Sequence, residues 1–152
     1  MARSDAINPA LKELEMLVGK WVMEISNASF LPDRLTVTRG GVSFEWFDSG
    51  EFLIMRQGRK GVGPNYATWL IGRDESVSDY AVLYIDDRRV SRVYEMSFGK
   101  GGWKIWRNSP KFSQRFEGKI STDKKTITAY WEQSVDGKNW TRDFDLKYTR
   151  RK

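Results

Sequence analysis

Two residue types that carry much of protein chemistry, cysteine and histidine, are absent from this 152-residue chain. Without cysteine there are no disulfides, Cys-ligated zinc sites, iron–sulfur clusters or thiol nucleophiles. Without histidine there is no Ser-His-Asp or Cys-His catalysis, no His-ligated haem and none of the commonest transition-metal sites. We therefore predict no metal site and no cofactor, and catalysis would have to use Asp, Glu, Lys, Arg or Tyr.

The sequence also lacks a long apolar run. Its opening residues, MARSDAINPA, contain no apolar segment of the kind found in signal peptides, and no stretch approaches the length of a membrane span. Together with the absence of cysteine, this leads us to expect a cytoplasmic protein that does not bind membranes. The net charge of +6 comes from basic residues scattered among acidic neighbours, so we predict no nucleic-acid binding.

Aromatic residues, by contrast, are abundant, with seven Trp, six Tyr and eight Phe. Such side chains fit the pleated, half-buried surface of a β-sheet. A hydrophobic share of 39% and a charged share of 30% are typical of a globular protein. A chain of 152 residues can bury a core of its own, so we predict one domain over residues 1–152.

One short helix is predicted at the start of the chain. Asn8 is a suitable N-cap and Pro9 suits the first helical position, while Gly19 is suited to end the helix. Between them the leucines recur at helical spacing. We predict an amphipathic helix over about residues 8–18, and its apolar side needs a surface to cover.

Residues 20–150 follow a different pattern, in which apolar residues recur at every second position. About ten such runs are separated by turn signals such as Asp136-Gly137. The glycine-rich, basic segment 58–64 is expected to form a loop at a barrel mouth. Closure into a barrel would remove unpaired strand edges. We predict an all-β, up-and-down antiparallel β-barrel of roughly ten strands, capped at one end by the helix.

The beginning of the first strand and the end of the last carry a recognisable combination. The helix leads into Gly19-Lys20-Trp21, and the last strand ends in Tyr148-Thr149-Arg150. This resembles the lipocalin and calycin group, whose first strand carries a Gly-x-Trp motif. The resemblance implies that Trp21 packs under the barrel. It also implies that Arg150, or alternatively Arg142, stacks across that ring as a cation–π partner.

Longer stretches resemble an uncharacterised bacterial family of lipocalin-like barrels over nearly the whole chain. The matching stretches are Ser43-Phe44-Glu45-Trp46, Val90-Ser91-Arg92-Val93-Tyr94, Trp106-Arg107, Phe112-Ser113-Gln114-Arg115-Phe116, Trp131-Glu132-Gln133-Ser134 and Asp143-Phe144-Asp145-Leu146. The resemblance implies a fold and no particular activity.

The more apolar face of each strand should point into the barrel. These side chains either fill the interior or leave room for a small ligand, as barrels of about eight or more strands can do. We predict a binding site for a small, mostly apolar or aromatic molecule. The predicted inward residues are Phe44, Trp46, Tyr94, Met96, Trp103, Phe112, Phe116, Trp131 and Phe144.

Three polar residues share these apolar faces: Arg92, Gln114 and Arg142. A buried charge is unfavourable unless it is paired, so two interpretations stay open. Either the arginines pair with carboxylates or reach solvent at the rim, or these residues and Tyr94 orient the polar end of a ligand. The candidate carboxylate partners are Glu45, Glu95 and Glu132.

Two other functions also stay open. An isomerase or cyclase could confine its substrate in the barrel, with Tyr94, Glu95 or Arg92 polarising or protonating it. A fully packed barrel could instead act as an interaction module or homodimer through an exposed Trp106 or Tyr130. The expected assembly is a monomer or a homodimer.

Overall fold

The computed structural model describes residues 7–59 and 62–152, and in this part of the chain ten strands close into one barrel. Each strand is antiparallel to its sequence neighbours, and the last strand pairs with the first. The strands are β1 (Gly19–Ser26), β2 (Thr38–Trp46), β3 (Leu53–Arg59), β4 (Val62–Gly72), β5 (Tyr80–Asp86), β6 (Ser91–Gly99), β7 (Gly102–Arg107), β8 (Ser113–Ile120), β9 (Thr126–Ser134) and β10 (Thr141–Arg150). The predicted fold class, an up-and-down antiparallel barrel with one short helix, is confirmed.

The helix spans Pro9–Leu17 and is a 3₁₀ helix throughout. Asn8 caps it as predicted, because its side-chain oxygen accepts a hydrogen bond from the backbone N–H of Ala10 at 3.0 Å. The helix ends directly before Gly19, as predicted. Val18 is the C-cap, and Gly19, with a φ of +128°, is both the residue after the cap and the first residue of β1. Its positive φ turns the chain from the helix into the barrel wall.

Most of segment 58–64 belongs to the sheet, so the loop prediction there is wrong. Gly58 and Arg59 end β3, and β4 begins at Val62, which pairs with Arg59. A shift in register between Gln57 and Arg59 accommodates the glycine, which has a φ of +71°. Lys60 and Gly61 lie outside the described residues.

One half of the barrel interior, which we call the closed half, is solidly packed with apolar and aromatic side chains. Leu11, Leu14 and Leu17 of the helix are fully buried there. The ring of Trp103 lies 4.8 Å from that of Phe116, measured between centroids. The remaining large buried side chains of this half include Trp21, Phe44, Leu53, Ile71, Tyr80, Met96, Ile127 and Tyr148.

At the helix end of the closed half, Arg150 near the end of the chain contacts Trp21 of the first strand. The guanidinium carbon of Arg150 lies 4.2 Å from the ring centroid of Trp21, which is fully buried. The same guanidinium donates hydrogen bonds to the carbonyl oxygens of Met16 and Val18, the latter at 2.9 Å. The indole N–H of Trp21 donates to the carbonyl of Leu17 at 2.9 Å. These bonds satisfy carbonyls at the helix end that have no partner within the helix.

Within residues 7–59 and 62–152, no helix is long and apolar enough to cross a membrane.

Candidate functional site

The other half of the barrel interior, which we call the open half, contains a cavity of about 650 Å³. It lies at the barrel end opposite the helix, where β1, β3, β5, β7 and β9 finish. Its apolar and aromatic wall residues are Met23, Ile25, Phe30, Ala67, Trp69, Tyr84, Tyr94, Phe112, Trp131, Phe144 and Leu146. Its polar wall residues are Ser29, Gln57, Asp86, Asp87, Arg88, Arg92, Gln114, Gln133 and Asp143. The volume and the mostly apolar wall are typical of a small-molecule site.

Four aromatic rings form one side of the cavity. Trp69 of β4 is central, with ring centroids at 4.6 Å from Tyr84, 5.3 Å from Tyr94 and 6.0 Å from Trp131. The planes of Trp69 and Trp131 differ by only 28°. Trp131 also lies 5.2 Å from Phe116, so this wall rests on the closed half.

The hydroxyl of Tyr94 is the best-defined polar group on the wall. It donates a hydrogen bond to Oε1 of Gln114 at 2.6 Å, and both residues are buried. Burial raises the pKa of Tyr94, while the nearby charges of Arg92 and Arg107 lower it by a smaller amount. The hydroxyl therefore keeps its proton at neutral pH.

Two arginines approach this hydroxyl from neighbouring strands. Arg92 of β6 lines the cavity, with its guanidinium carbon 5.0 Å from the ring centroid of Phe112 and 6.0 Å from that of Tyr84. Arg107 ends β7 and is paired in register with Gln114. The positive charges of Arg92 and Arg107 lower the pKa of Tyr94 by less than burial raises it, while the hydrogen bond of the hydroxyl is made with Gln114. Two positive charges therefore lie near the aromatic side of the cavity wall.

A second polar group lies between the two halves of the interior. The indole N–H of Trp69 donates to Oε1 of Gln57 at 2.9 Å, which fixes the orientation of this ring. Burial raises the pKa of Tyr148, and a hydrogen bond with Gln57 lowers it by less. Nε2 of Gln57 donates to Sδ of Met23 at 3.5 Å, so Gln57 connects Trp69 to another residue of the cavity wall.

A charged cluster occupies the rim at the end of β5. Oδ2 of Asp86 accepts hydrogen bonds from the hydroxyl of Tyr84 at 2.8 Å and from Nη2 of Arg88 at 2.6 Å. Burial alone would raise the pKa of Asp86, but these hydrogen bonds lower it to about 2. Asp86 continues the inward face of β5 after Tyr84 and is only 7% exposed.

The connection between β1 and β2 extends over part of the cavity mouth. The hydroxyl of Ser29 donates to Oδ1 of Asp143 at 2.7 Å, and the backbone N–H of Ser29 donates to the carbonyl of Asp143 at the same distance. Phe30 meets Phe144 edge to face, with centroids 5.7 Å apart. Phe30 remains 55% exposed, so it borders the entrance without sealing it.

The predicted lining residues separate into two sets. Arg92, Tyr94, Phe112, Gln114, Trp131 and Phe144 line the cavity. Phe44, Trp46, Met96, Trp103 and Phe116 also belong to the interior, but they pack in the closed half and not on the cavity wall. Alternation along a strand shows which face is inward. It does not show how far along the barrel axis a residue lies.

Arg142 lies outside the barrel, contrary to the expectation that it shares a face with Phe144. The register of β10 against β9 shifts between Arg142 and Phe144, which leaves Asp143 as an extra residue. This β-bulge reverses the alternation. Arg142 stacks on Tyr130, 3.9 Å from the ring centroid, and bonds Oδ1 of Asp145 at 2.5 Å.

The candidate carboxylate partners are also on the outer face. Glu45 pairs with Arg56, and Glu132 pairs with Arg115 at 2.8 Å. Glu95 accepts a hydrogen bond from the indole N–H of Trp106 at 3.0 Å and is exposed, so it does not reach the cavity as a base.

The two aromatic residues considered as contact surface are half-buried by outer-face neighbours. Tyr130 donates its hydroxyl proton to Glu117 at 3.0 Å and lies under Arg142, while Trp106 is tied to Glu95. Both rings therefore pack against the outer surface of the barrel and are only partly exposed to solvent.

Several residues of the cavity and its surroundings were not identified from the sequence. Arg107, which is in register with the wall residue Gln114, follows Trp103 and Ile105 at every second position of β7, so the alternation predicts that it faces inward. Tyr84 and Asp86 likewise follow Tyr80 and Val82 on β5. The sequence does not show that Trp69 and Gln57 face inward. Both faces of β3 and β4 carry apolar or mixed residues, so these strands have no clear alternation of apolar and polar residues.

A cluster of three acidic side chains able to hold a metal ion does not occur in the described part of the chain. Arginine and aromatic side chains, in contrast, lie together at the cavity.

No protein-family model matches this chain, and no curated protein matches it. Among solved structures, it is similar to the crystal structure of Rv2717c from M. tuberculosis, with a TM-score of 0.66. The alignment covers 97% of this chain and 100% of the other, at 11% sequence identity. At this identity the likeness shows a shared small barrel fold and nothing about a ligand.

Proposed function

We propose that this protein binds a small, mostly apolar or aromatic molecule in the cavity of the open half. The observation that carries the proposal is the cavity of about 650 Å³ next to the stacked rings of Trp69 and Trp131. A purely structural barrel gains stability by filling its interior, as the closed half does. An aromatic wall facing open space gives up that packing, which a ligand of matching shape would restore.

The polar groups of the wall are few and fixed, as in sites that select one orientation of a ligand. A hydrogen bond joins Tyr94 to Gln114, and another joins Trp69 to Gln57. Oriented partners lose little side-chain freedom when a ligand arrives, so their hydrogen-bonding capacity adds to affinity.

Binding is tested with N-phenyl-1-naphthylamine, a neutral aromatic dye whose fluorescence rises in apolar surroundings. Saturable binding by the purified protein is expected. In Ala67→Phe the new ring would occupy the cavity and should abolish binding, because Ala67 is a buried wall residue. Ala81→Phe is the matched control, since Ala81 is an exposed residue of the neighbouring strand β5.

Native mass spectrometry of the protein purified from its own cells, followed by denaturing extraction, then identifies the molecule. A reproducible bound compound that is lost in Ala67→Phe would support the proposal. Absence of both a bound compound and dye binding in the unaltered protein would refute it.

A further inference from the structure

We infer that the molecule bound in this cavity carries an anionic group, such as a carboxylate or sulfonate, next to its apolar or aromatic body, and that Arg92 and Arg107 receive this group beside Tyr94 and Gln114. The inference rests on the proposed function and adds the chemical class of the ligand. It depends on where the positive charges of the interior are placed and on which of them are already neutralised.

Arg92 is held by aromatic rings and not by an acid. Its guanidinium lies over Phe112 at 5.0 Å and near Tyr84 at 6.0 Å, and it lines the cavity. In the part of the chain that the structure describes, no carboxylate lies within ion-pair distance of Arg92 or Arg107. The ion pairs found there involve Arg39, Arg56, Arg88, Arg115 and Arg142.

The acids of the cavity wall are placed elsewhere. Asp86 is bound by Arg88 and Tyr84, and Asp143 accepts a hydrogen bond from Ser29 at the mouth. Asp87 also borders the mouth and is exposed. Among the acids of the described cavity wall, the carboxylate bound by an arginine is thus Asp86 at the rim, while Arg92 beside Tyr94 has aromatic neighbours and no carboxylate partner.

Arg92 lines the cavity beside Tyr94, and Arg107 of β7 is in register with Gln114, so two positive charges lie close together and an anion between them would reduce their repulsion. A half-buried guanidinium is also less well hydrated than one in free solution, so its charge-assisted hydrogen bonds to an anion are stronger there. The hydroxyl of Tyr94 donates its hydrogen bond to Oε1 of Gln114, so the side-chain NH₂ group of Gln114 keeps its hydrogens for another acceptor. Arg92, Arg107 and Gln114 together are a set of donors with no carboxylate of the protein among them.

A matched pair of dyes tests the inference. The dye 8-anilinonaphthalene-1-sulfonate has the ring skeleton of N-phenyl-1-naphthylamine and differs from it by one sulfonate group. Loss of a charge-assisted hydrogen bond reduces affinity by about tenfold or more. We expect Arg92→Gln and Arg107→Gln each to weaken binding of the sulfonate dye by about tenfold, and to change binding of the neutral dye by less than about twofold.

Two further variants separate charge from folding. Arg92→Lys keeps the positive charge without the two-pronged geometry, so its loss of sulfonate affinity should be smaller than that of Arg92→Gln. Arg142→Gln removes a positive charge from the outer face of β10 and should leave both affinities unchanged.

The outcomes distinguish this inference from the proposed function. Suppose that both dyes bind the unaltered protein, that Ala67→Phe abolishes their binding, and that Arg92→Gln and Arg107→Gln leave both affinities unchanged. The anion site is then refuted, while the binding cavity is supported. If neither dye binds the unaltered protein, the proposed function fails and this inference fails with it. Selective loss of the sulfonate dye supports both.

Discussion

The closed and open halves of the barrel interior are lined by the same kinds of side chain and differ in how these side chains fill space. In the closed half the ring of Trp103 is in contact with those of Phe44, Phe98, Phe116 and Tyr148, with centroids 4.8 to 6.4 Å apart. In the open half Trp69 and Trp131 have aromatic neighbours on one side and a cavity on the other. Aromatic content alone therefore does not distinguish a core from a binding site.

The covering elements account for much of the difference. The helix places three leucines into the closed half, and Arg150 ties the helix end to Trp21. The open half has no such cover among the described residues and is bordered by the connection that carries Phe30. Stability should depend mainly on the closed half, and ligand binding mainly on the open half.

The largest effect is expected from removing a ring in the closed half. Phe116→Ala should lower the free energy of unfolding by about 3–5 kcal/mol, because Phe116 is buried against Trp103 and Trp131. Phe112→Ala, four positions earlier at the cavity mouth, should lower it by about 1 kcal/mol or less, since little packing is lost there. Urea unfolding of the two variants measures both values, and equal losses would contradict the division into halves.

A smaller loss is expected when the helix end is released. Arg150→Met keeps an apolar stem over Trp21 but removes the hydrogen bonds to the carbonyls of Met16 and Val18. We expect a loss of about 2 kcal/mol in the free energy of unfolding. Arg142→Met is the control for losing an arginine on the outer face. A melting temperature that falls equally in both variants would show that Arg150 does not close the barrel.

The rim of the open half should make a modest, pH-dependent contribution. The pKa of Asp86 is held at about 2, below its ordinary value of 3.8, so its stabilising effect is complete above about pH 4 and is lost as the pH falls through 2. Asp86→Asn should therefore show a shallower fall in the free energy of unfolding between these pH values. The fall is reduced and not abolished, because the pKa values of Asp74, Asp123 and Asp136 are also lowered. An unchanged slope in Asp86→Asn would contradict the role given to this cluster.

The sequence was sufficient to predict the barrel, its approximate strand number and the position of its helix, because these depend on local patterns. Examples are the apolar residues at every second position, such as Tyr94 and Met96, and the turn signal at Asp136-Gly137. Both can be recognised from residues that are close together in the sequence. The predicted contact partners Trp21 and Arg150 came from a resemblance and are directly paired between β1 and β10.

The cavity itself was harder to predict, for two physical reasons. The bulge at Asp143 reverses the alternation of β10, so that Arg142 faces outward and Phe144 inward. The depth of a side chain along the barrel axis depends on how the strands are staggered, and this placed Trp103 and Trp131 in different halves. Neither the bulge nor the stagger has a signal in a single sequence.

The most direct test of the division into halves is a two-dimensional ¹H–¹⁵N NMR titration that follows the indole N–H signals of the seven tryptophans while N-phenyl-1-naphthylamine is added. We predict that the signals of Trp69 and Trp131 shift with a common saturation curve, and that those of Trp21 and Trp103 stay in place. Signals that shift at Trp21 and Trp103 but not at Trp69 and Trp131 would contradict the account.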